Sequence, residues 1–301
     1  MNKGLISTLQ HYSTKDGPGI RTTVFFVGCN LRCTWCANPE LIEPTKKLMY
    51  YKQHCIHCGA CSKLEPHAIQ IFKDGCHIDR TKLHNIQKIV ECCPKNAYEI
   101  KGREISAKDL VNLLLRDKTF YEVSNGGVTF SGGDPMLQAD FVKEAAQLLH
   151  QNGIHVALDT AGNVQWSILK NLLQDIDLIL FDIKAIDPIY HKECTGVTNE
   201  KIIENVKKIA QLKKDLWIRL VIVPGWNDDL EDIEKRFQLI NSLGDCVKRV
   251  DILKYHNLGS SKYEQLGLKY SISKDTSCSD TLVQQIKTIA HSYNVKINVD
   301  N

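Results

Sequence analysis

Apolar residues along the chain gather into six runs that read as strands, over residues 22–27, 127–131, 155–160, 178–184, 217–223 and 250–255. Most are near-continuous in aliphatic and β-branched residues, the pattern of strands buried on both faces of a parallel sheet. Around and between the later runs the apolar period lengthens to that of amphipathic helices, over 137–152, 166–174, 200–213 and 230–243. A further helix is predicted to begin at Ser106, whose hydroxyl caps it while Asp109 completes a capping box. Gly153 and Gly244 stand where helix-ending glycines belong. Strand alternating with helix about six times predicts an α/β fold: a partial (β/α)6 TIM-like barrel, with an open doubly wound sheet as the alternative.

One block breaks the rhythm. Residues 48–100 show no helix-strand alternation and hold six of the twelve cysteines. The block reads as a small metal-stabilised domain inserted between segments 1–47 and 101–301 of the larger one. The 43% hydrophobic and 24% charged fractions are ordinary for a soluble protein. No apolar stretch reaches the length of a membrane span and residues 1–16 carry no export signal, so a cytoplasmic location is expected. Thiols there stay reduced, which makes metal ligation a better account of twelve cysteines than a disulfide framework. The net charge of +3 is too mild to argue for nucleic acid. The lysine pairs at 207–208 and 213–214 read as a solvated helix face.

Cys29, Cys33 and Cys36 follow the first apolar run in the segment GCNLRCTWC. Three thiolates are one fewer than a 4Fe-4S cluster fully held by protein takes, so one iron is left for a ligand that is not protein. A zinc site is the competing reading, but zinc favours paired C-x2-C units or added histidines, and this segment offers no fourth ligand.

Cys55-x2-Cys58-x2-Cys61 is the front of a bacterial ferredoxin run, whose finish is here Glu65-Pro66 instead of Cys-Pro. Counting back from Cys93-Pro94 by the same spacing lands on Leu83, Ile86 and Ile89. In two-cluster ferredoxins the last cysteine of each run ligates the other run's cluster. Cys55, Cys58, Cys61 and Cys93 therefore make one complete set, and positions 65, 83, 86 and 89 are the four that would have held a second cluster. Random erosion would rarely remove one whole set and spare the other. One auxiliary 4Fe-4S cluster is predicted, with Cys92, Cys76 or Glu65 as rival fourth ligands and a zinc knuckle as the alternative.

Polar residues recur at the carboxyl ends of the strands, where α/β barrels gather their chemistry. They are Ser131-Gly132-Gly133-Asp134-Pro135, Asp159-Thr160, Asp182 with Lys184, Arg219 and His256. Glycines beside a carboxylate let the backbone approach a ligand's ammonium group closely.

The trio spacing with Trp35 before its last cysteine resembles the signature of radical S-adenosylmethionine (SAM) enzymes. With Asp16-Gly17-Pro18-Gly19-Ile20-Arg21, the SGGDP segment, His191 with Thr195-Gly196-Val197 and Asn199, Trp217-Ile218-Arg219 leading to Val223-Pro224-Gly225, and Tyr255-His256-Asn257-Leu258-Gly259, nearly the whole chain resembles the activating enzymes of glycyl radical enzymes. The resemblance implies a partial barrel whose open iron chelates SAM. The resulting 5'-deoxyadenosyl radical takes hydrogen from one glycine of a partner enzyme. Gly132, Gly133 and Asp134 would contact the amino end of SAM, and Thr160, Lys184 and His256 would be further cofactor contacts. Asp159 and Asp182 match carboxylates tied to a monovalent cation, and Asp134 stands where the family usually has glutamate. Asp16 and Arg21 are candidates for gripping the partner's glycine loop, with a structural role for the Asp16-Gly17-Pro18-Gly19 turn as the alternative. The implied electron donor is reduced flavodoxin or ferredoxin.

The insert sets the chain apart from the activator of pyruvate formate-lyase. A dehydratase of glycerol or propanediol, a choline lyase or an arylacetate decarboxylase is expected as the target. Two rivals are a radical enzyme modifying another peptide, of the sulfatase-maturing type, and a non-catalytic iron-sulfur electron carrier. The first usually carries further cysteine-rich segments near its C-terminus, where Cys278 stands alone here; the second has no need of the strand-end carboxylates.

Overall fold

The computed structural model describes residues 3–300. The strands among them are β1 (Lys3–Ser13), β2 (Arg21–Phe26), β3 (Lys47–Tyr50), β4 (Ile69–Phe72), β5 (Gly75–Ile78), β6 (Tyr98–Lys101), β7 (Arg103–Ser106), β8 (Gly127–Gly132), β9 (His155–Thr160), β10 (Leu178–Asp182), β11 (Asp215–Ile222), β12 (Val247–Lys254) and β13 (Asn298–Asp300). Nine form one sheet in the order β13-β12-β11-β10-β9-β8-β2-β1-β7. β1 pairs antiparallel with both of its neighbours, and every other pair in this sheet is parallel.

The six strands expected from the apolar runs are β2 and β8 to β12. The sheet also has β1, β7 and β13, which were not expected. β1 is mostly exposed along its length and its register with β2 slips twice, while β7 and β13 are short pieces at the two edges. None of the three offers the dense apolar run by which a buried strand announces itself. The helices lie close to their expected places, Leu230–Leu243 at its expected bounds. The 137–152 pattern starts as a tight 3-10 turn over Pro135–Gln138 before the helix Ala139–His150. Ser106 caps the helix Ala107–Leu114, accepting the Asp109 N–H at 3.1 Å and donating to the Asp109 carboxylate at 2.6 Å.

Alternation along the parallel strands sorts their side chains onto two faces. Val128, Phe130, Leu158, Ile179, Phe181, Ile218 and Leu220 pack with Phe141, Leu149, Leu169, Val206 and Phe237 of the helices in one core. Thr129, Ser131, Asp159, Asp182 and Arg219 occupy the other face. That face curls inward. Arg219 on β11 reaches Asp159 on β9 at 3.0 Å and Asp16, in the turn before β2, at 3.6 Å, while Asp16 accepts the Thr23 hydroxyl of β2 at 2.8 Å. β2 and β11 stand four strand spacings apart, which in a flat sheet is about 19 Å. Only a strongly curved sheet lets one arginine close that span.

β3 to β6 lie outside this sheet, in two small two-stranded sheets of their own. β3 pairs antiparallel with β6, β4 with β5, and the helices Ala60–Leu64 and Ile86–Cys92 lie between them in sequence. The expectation of no helix-strand alternation is therefore corrected: the alternation exists, in elements of four to seven residues that are too short for periodicity to reveal. Ile89 is fully buried here, and Leu83 and Ile86 pack against Leu48, Ile69 and Tyr98. Three of the four positions that would have ligated a second cluster are thus apolar residues packed in this core, and the fourth, Glu65, is buried and polar.

Candidate active site

Cys29 comes three residues after the end of β2, where Gly28 at φ +113° turns the chain out of the sheet. A glycine is needed there because L side chains rarely adopt that φ. The loop that follows is tied on two sides. The Gly28 and Cys29 N–H groups donate to Leu41 and Ile42 carbonyls at 2.7 and 2.8 Å, and the Arg32 and Thr34 N–H groups to Thr195 and Cys194 carbonyls at 2.7 and 3.0 Å. Thr195 and Gly196 thus support the cysteine loop: a Cβ on Gly196 would stand 3.3 Å from the Arg32 Cβ.

Two more glycines let backbone close over this loop. A Cβ on Gly133 would meet the Gly28 carbonyl oxygen at 2.2 Å, and one on Gly259 would meet the Ala37 Cα at 2.9 Å. Trp35 packs with Val223, Tyr255 and Ile272 behind the loop, with Cys33 against the same cluster. Burial pushes the thiols of Cys29, Cys33 and Cys36 each up to about 11, opposed by the nearby ammonium of Lys184. Burial works against the charge of Lys184, but Asp182 at 3.0 Å and the Cys33 and Cys29 sulfurs outweigh it and hold the ammonium above its usual range. Among the described residues no three His, Cys, Asp or Glu side chains converge closely enough to hold a single metal ion.

Asp134 is buried and committed. Its carboxylate accepts the Met136 N–H at 3.0 Å and the Thr160 hydroxyl at 2.9 Å, so two residues expected at the cofactor hold one another in place. Burial pushes its carboxyl up to about 6 from 3.8, against the pull of those two donors. The native state therefore binds the proton more tightly than the unfolded chain does, and this contribution to stability is complete below about pH 4 and lost as pH rises through 6. Asp134→Asn is expected to gain on the wild type by on the order of 2–3 kcal/mol between pH 4 and 7.5, read as the difference of two urea-unfolding series on protein without metal.

Asp159 accepts the Ser131 hydroxyl at 2.6 Å and the Arg219 guanidinium at 3.0 Å; burial raises its carboxyl to about 6, with Arg219 the main opposing influence. Burial also disfavours the Arg219 charge, yet Asp159, Asp182 and Asp16 together hold it above its usual value. His256 is exposed beyond the end of β12. Three acceptors near the cysteine loop lack a donor: Oδ1 of Asn30, Oε2 of Glu40 and Oδ1 of Asn257 are buried without a hydrogen-bond partner. The Asn30 amide nitrogen is fixed on the Asn163 carbonyl at 2.6 Å. The sequence pointed to Asn257 as part of the 255–259 motif but not to Asn30, which lies directly beside Cys29.

Arg21 lies at the opposite end of β2 from the trio and is fully buried. It donates to the Thr129 hydroxyl and the Val128 carbonyl at 2.6 Å each, the Pro18 carbonyl at 3.2 Å and the His155 ring at 3.2 Å. The expectation that it grips a partner's loop is corrected, since every direction of its guanidinium is spent on holding the 16–21 turn against β8 and β9.

In the insert, one small cavity is lined by Cys55, Cys58, Cys61 and Cys93 together with Ile71 and Tyr98. The Cys93 sulfur accepts the Ala97 N–H at 3.3 Å and that of Cys61 the Tyr98 hydroxyl at 3.3 Å. Of the rival ligands, the Cys92 thiol donates to the Ile89 carbonyl at 3.2 Å, and Glu65 accepts the His84 and Asn85 N–H groups at 3.3 and 3.1 Å. Cys76 lies nearer, its sulfur 3.7 Å from that of Cys55 and 4.0 Å from that of Cys61.

Residues 23–237 match the Radical SAM superfamily. The chain is 38% identical over 299 residues to the trans-4-hydroxy-L-proline dehydratase activating enzyme of Clostridioides difficile, spanning 97% of this chain and 98% of that one. It is 36% identical over 298 residues to the (2S)-3-sulfopropanediol dehydratase activating enzyme of Klebsiella oxytoca, spanning 97% and 94%. A solved domain of pyruvate-formate lyase-activating enzyme from Bacteroides vulgatus ATCC 8482 is similar over 58% of this chain and 99% of its own, with 26% identity and a TM-score of 0.50.

Proposed function

This chain belongs to the radical SAM superfamily, among its activating enzymes, and on that premise we propose that it installs a glycyl radical on a partner enzyme other than pyruvate formate-lyase. A dehydratase, a choline lyase or a decarboxylase is the partner class. The observation that carries this reading is the three-thiol loop at the carboxyl end of β2 with the Lys184 ammonium held beside it. A loop offering only three thiols, with orphaned acceptors at Asn30 and Asn257 nearby, fits a 4Fe-4S cluster that receives SAM. When bound, the pair supplies reductive cleavage of SAM to a radical that abstracts hydrogen.

The chain's own residues bind, aim and exclude water. Cys29, Cys33 and Cys36 hold the cluster, and Lys184 offsets the negative charge of their thiolates. Gly132, Gly133 and Asp134 with Thr160 shape the wall for the amino end of SAM, while Trp35 and His256 flank the cofactor. Asp159, paired with Arg219, and Asp182, paired with Lys184, would be the carboxylates beside a monovalent cation. The curled sheet is read as a partial (β/α)6 barrel, with the mouth at the carboxyl ends of β2 and β8 to β12.

The insert is read as ferredoxin-like, because its outer strands pair with each other and its inner strands likewise, with a helix in each half. Cys55, Cys58, Cys61 and Cys93 would hold its single auxiliary cluster. Reduced flavodoxin or ferredoxin would donate the electrons, and the site of action is the cytoplasm. No helix among the described residues is long and apolar enough to cross a membrane.

The experiment is anaerobic reconstitution followed by iron analysis and incubation with SAM, dithionite and a glycyl radical enzyme. About eight irons per chain are expected, and about four in Cys58→Ser, which should still cleave SAM with dithionite. A glycyl radical signal in electron paramagnetic resonance should appear on the partner. Wild-type protein that loads only about four irons would remove the auxiliary cluster, and wild-type protein that leaves SAM intact would sink the proposal.

A further inference from the structure

Of the four cysteines around the insert's cavity, Cys58 alone is exposed. The two segments that wall the cavity, residues 52–64 and 92–98, carry Lys52, Lys63, Lys95, His54 and His57 and not one aspartate or glutamate. Lys63, Lys95 and His57 are all exposed. Between these cations two apolar side chains face solvent, Ile56 at 56% and Leu64 at 39% exposure.

The neighbouring acids are turned to other partners. Glu65 is buried against His84 and Asn85. Glu91 accepts the Gln87 amide at 2.9 Å one turn back along its helix, and Glu99 pairs with Lys101 at 2.6 Å. A small apolar centre with a rim of one sign is the anatomy of a short-lived protein contact, steered by charge and smaller than about 1,200 Å².

The insert is also joined to the three-thiol loop, through Arg80. Arg80 of the insert donates to the Gln265 carbonyl at 2.8 Å, on the helix Ser260–Leu266. Lys262 of the same helix donates to Asn38 at 2.6 Å and Glu40 at 2.7 Å, two and four residues after Cys36. One short helix therefore bridges the insert and the loop that carries the open site.

We propose that the face around Cys58, bounded by His57, Lys63 and Lys95 with Ile56 and Leu64 at its centre, is where an acidic one-electron carrier protein docks to deliver electrons to this chain. Each encounter moves one electron: the carrier is oxidised by one and the chain's auxiliary centre reduced by one. The inference rests on the auxiliary-cluster reading above and adds the point of entry. It also gives the surviving ligand set a reason to lie open at Cys58 while the lost set was sealed with Leu83, Ile86 and Ile89.

The test uses the fully reconstituted chain with oxidised flavodoxin, and separately oxidised ferredoxin, as probes. Binding is followed by calorimetry at about 50 mM and about 300 mM salt, where screening separates charge steering from apolar contact. At low salt Lys63→Glu/Lys95→Glu should weaken binding about tenfold, and Lys63→Gln/Lys95→Gln by less, with the salt dependence reduced in the same order. Stopped-flow reduction of the chain by the reduced carrier should slow about tenfold in the Glu variant. SAM cleavage driven by dithionite should stay within about twofold of wild type, which separates failure of this inference from failure of the enzymatic reading.

Unchanged carrier binding in a correctly folded, iron-loaded Glu variant would overturn the proposal. So would wild-type protein that binds neither carrier at low salt, or variants that lose affinity only for the glycyl radical enzyme partner.

Discussion

Cys29→Ala is expected to form 5'-deoxyadenosine and methionine from SAM at less than about one-thousandth of the wild-type rate, while keeping its fold and the insert's iron. The fold should survive because the Cys29 sulfur makes only one weak bond of its own, accepting the Leu31 N–H at 3.4 Å, and the loop is held by backbone bonds to Leu41, Ile42, Cys194 and Thr195. The activity should not, because the remaining two thiols cannot hold a cluster that already leaves one iron to SAM. A thousandfold loss is about 4 kcal/mol of barrier, far beyond what a shifted neighbour would cost. Chromatography of anaerobic, dithionite-reduced reactions reads the rate, and iron analysis should still find about four irons. Turnover within tenfold of wild type would remove Cys29 from the site.

What could be read from the sequence was whatever is written in spacing. The trio, the Cys55-Cys58-Cys61 run and Cys93-Pro94 stand at the offsets of iron-sulfur ligand motifs, and the structure sets the last four cysteines around a single cavity. The six central strands were legible because burial on both faces demands unbroken apolar runs. β1 was not: its side chains alternate weakly and it lies mostly exposed, so only its pairing with β2 and β7 makes it a strand. Contacts between distant segments were equally silent. Nothing at Gly259 or Gly196 announces that each lies against the cysteine loop, and Cys76 approaches Cys55 from a hairpin twenty-one residues away. Arg219 was legible, since alternation along β11 places Trp217 and Arg219 on the face opposite the buried Leu216 and Ile218. The Asp16 to Arg21 motif was visible, but not which way its arginine turns.

That arginine separates two roles by experiment. If Arg21 gripped the partner's loop, Arg21→Ala would fold normally, cleave SAM at the wild-type rate and fail only in placing a radical on the partner. The structure leads to a different result. Removing the side chain strands the Val128 carbonyl in a buried space, takes one partner from the Thr129 hydroxyl, which keeps its bond to the Asp16 carbonyl, and leaves Asp16 short of one of its nearby positive charges. Each buried group left without a partner costs roughly 1–3 kcal/mol, and breaking a buried charged network costs about 3–5 kcal/mol. Arg21→Ala is therefore expected to lose about 4 kcal/mol of stability, a large part of what a domain has. Arg21→Lys should recover part of that loss, since an ammonium keeps the charge but cannot serve all four directions at once. Denaturant unfolding of both variants before reconstitution reads this directly. SAM cleavage per folded, iron-loaded chain should fall together with transfer of the radical to the partner, because the turn that Arg21 anchors also carries Asp16, whose carboxylate supports Arg219 across the curled sheet. A fully stable Arg21→Ala that cleaves SAM normally yet activates nothing would restore the gripping role and place the partner's glycine loop at the amino ends of the strands.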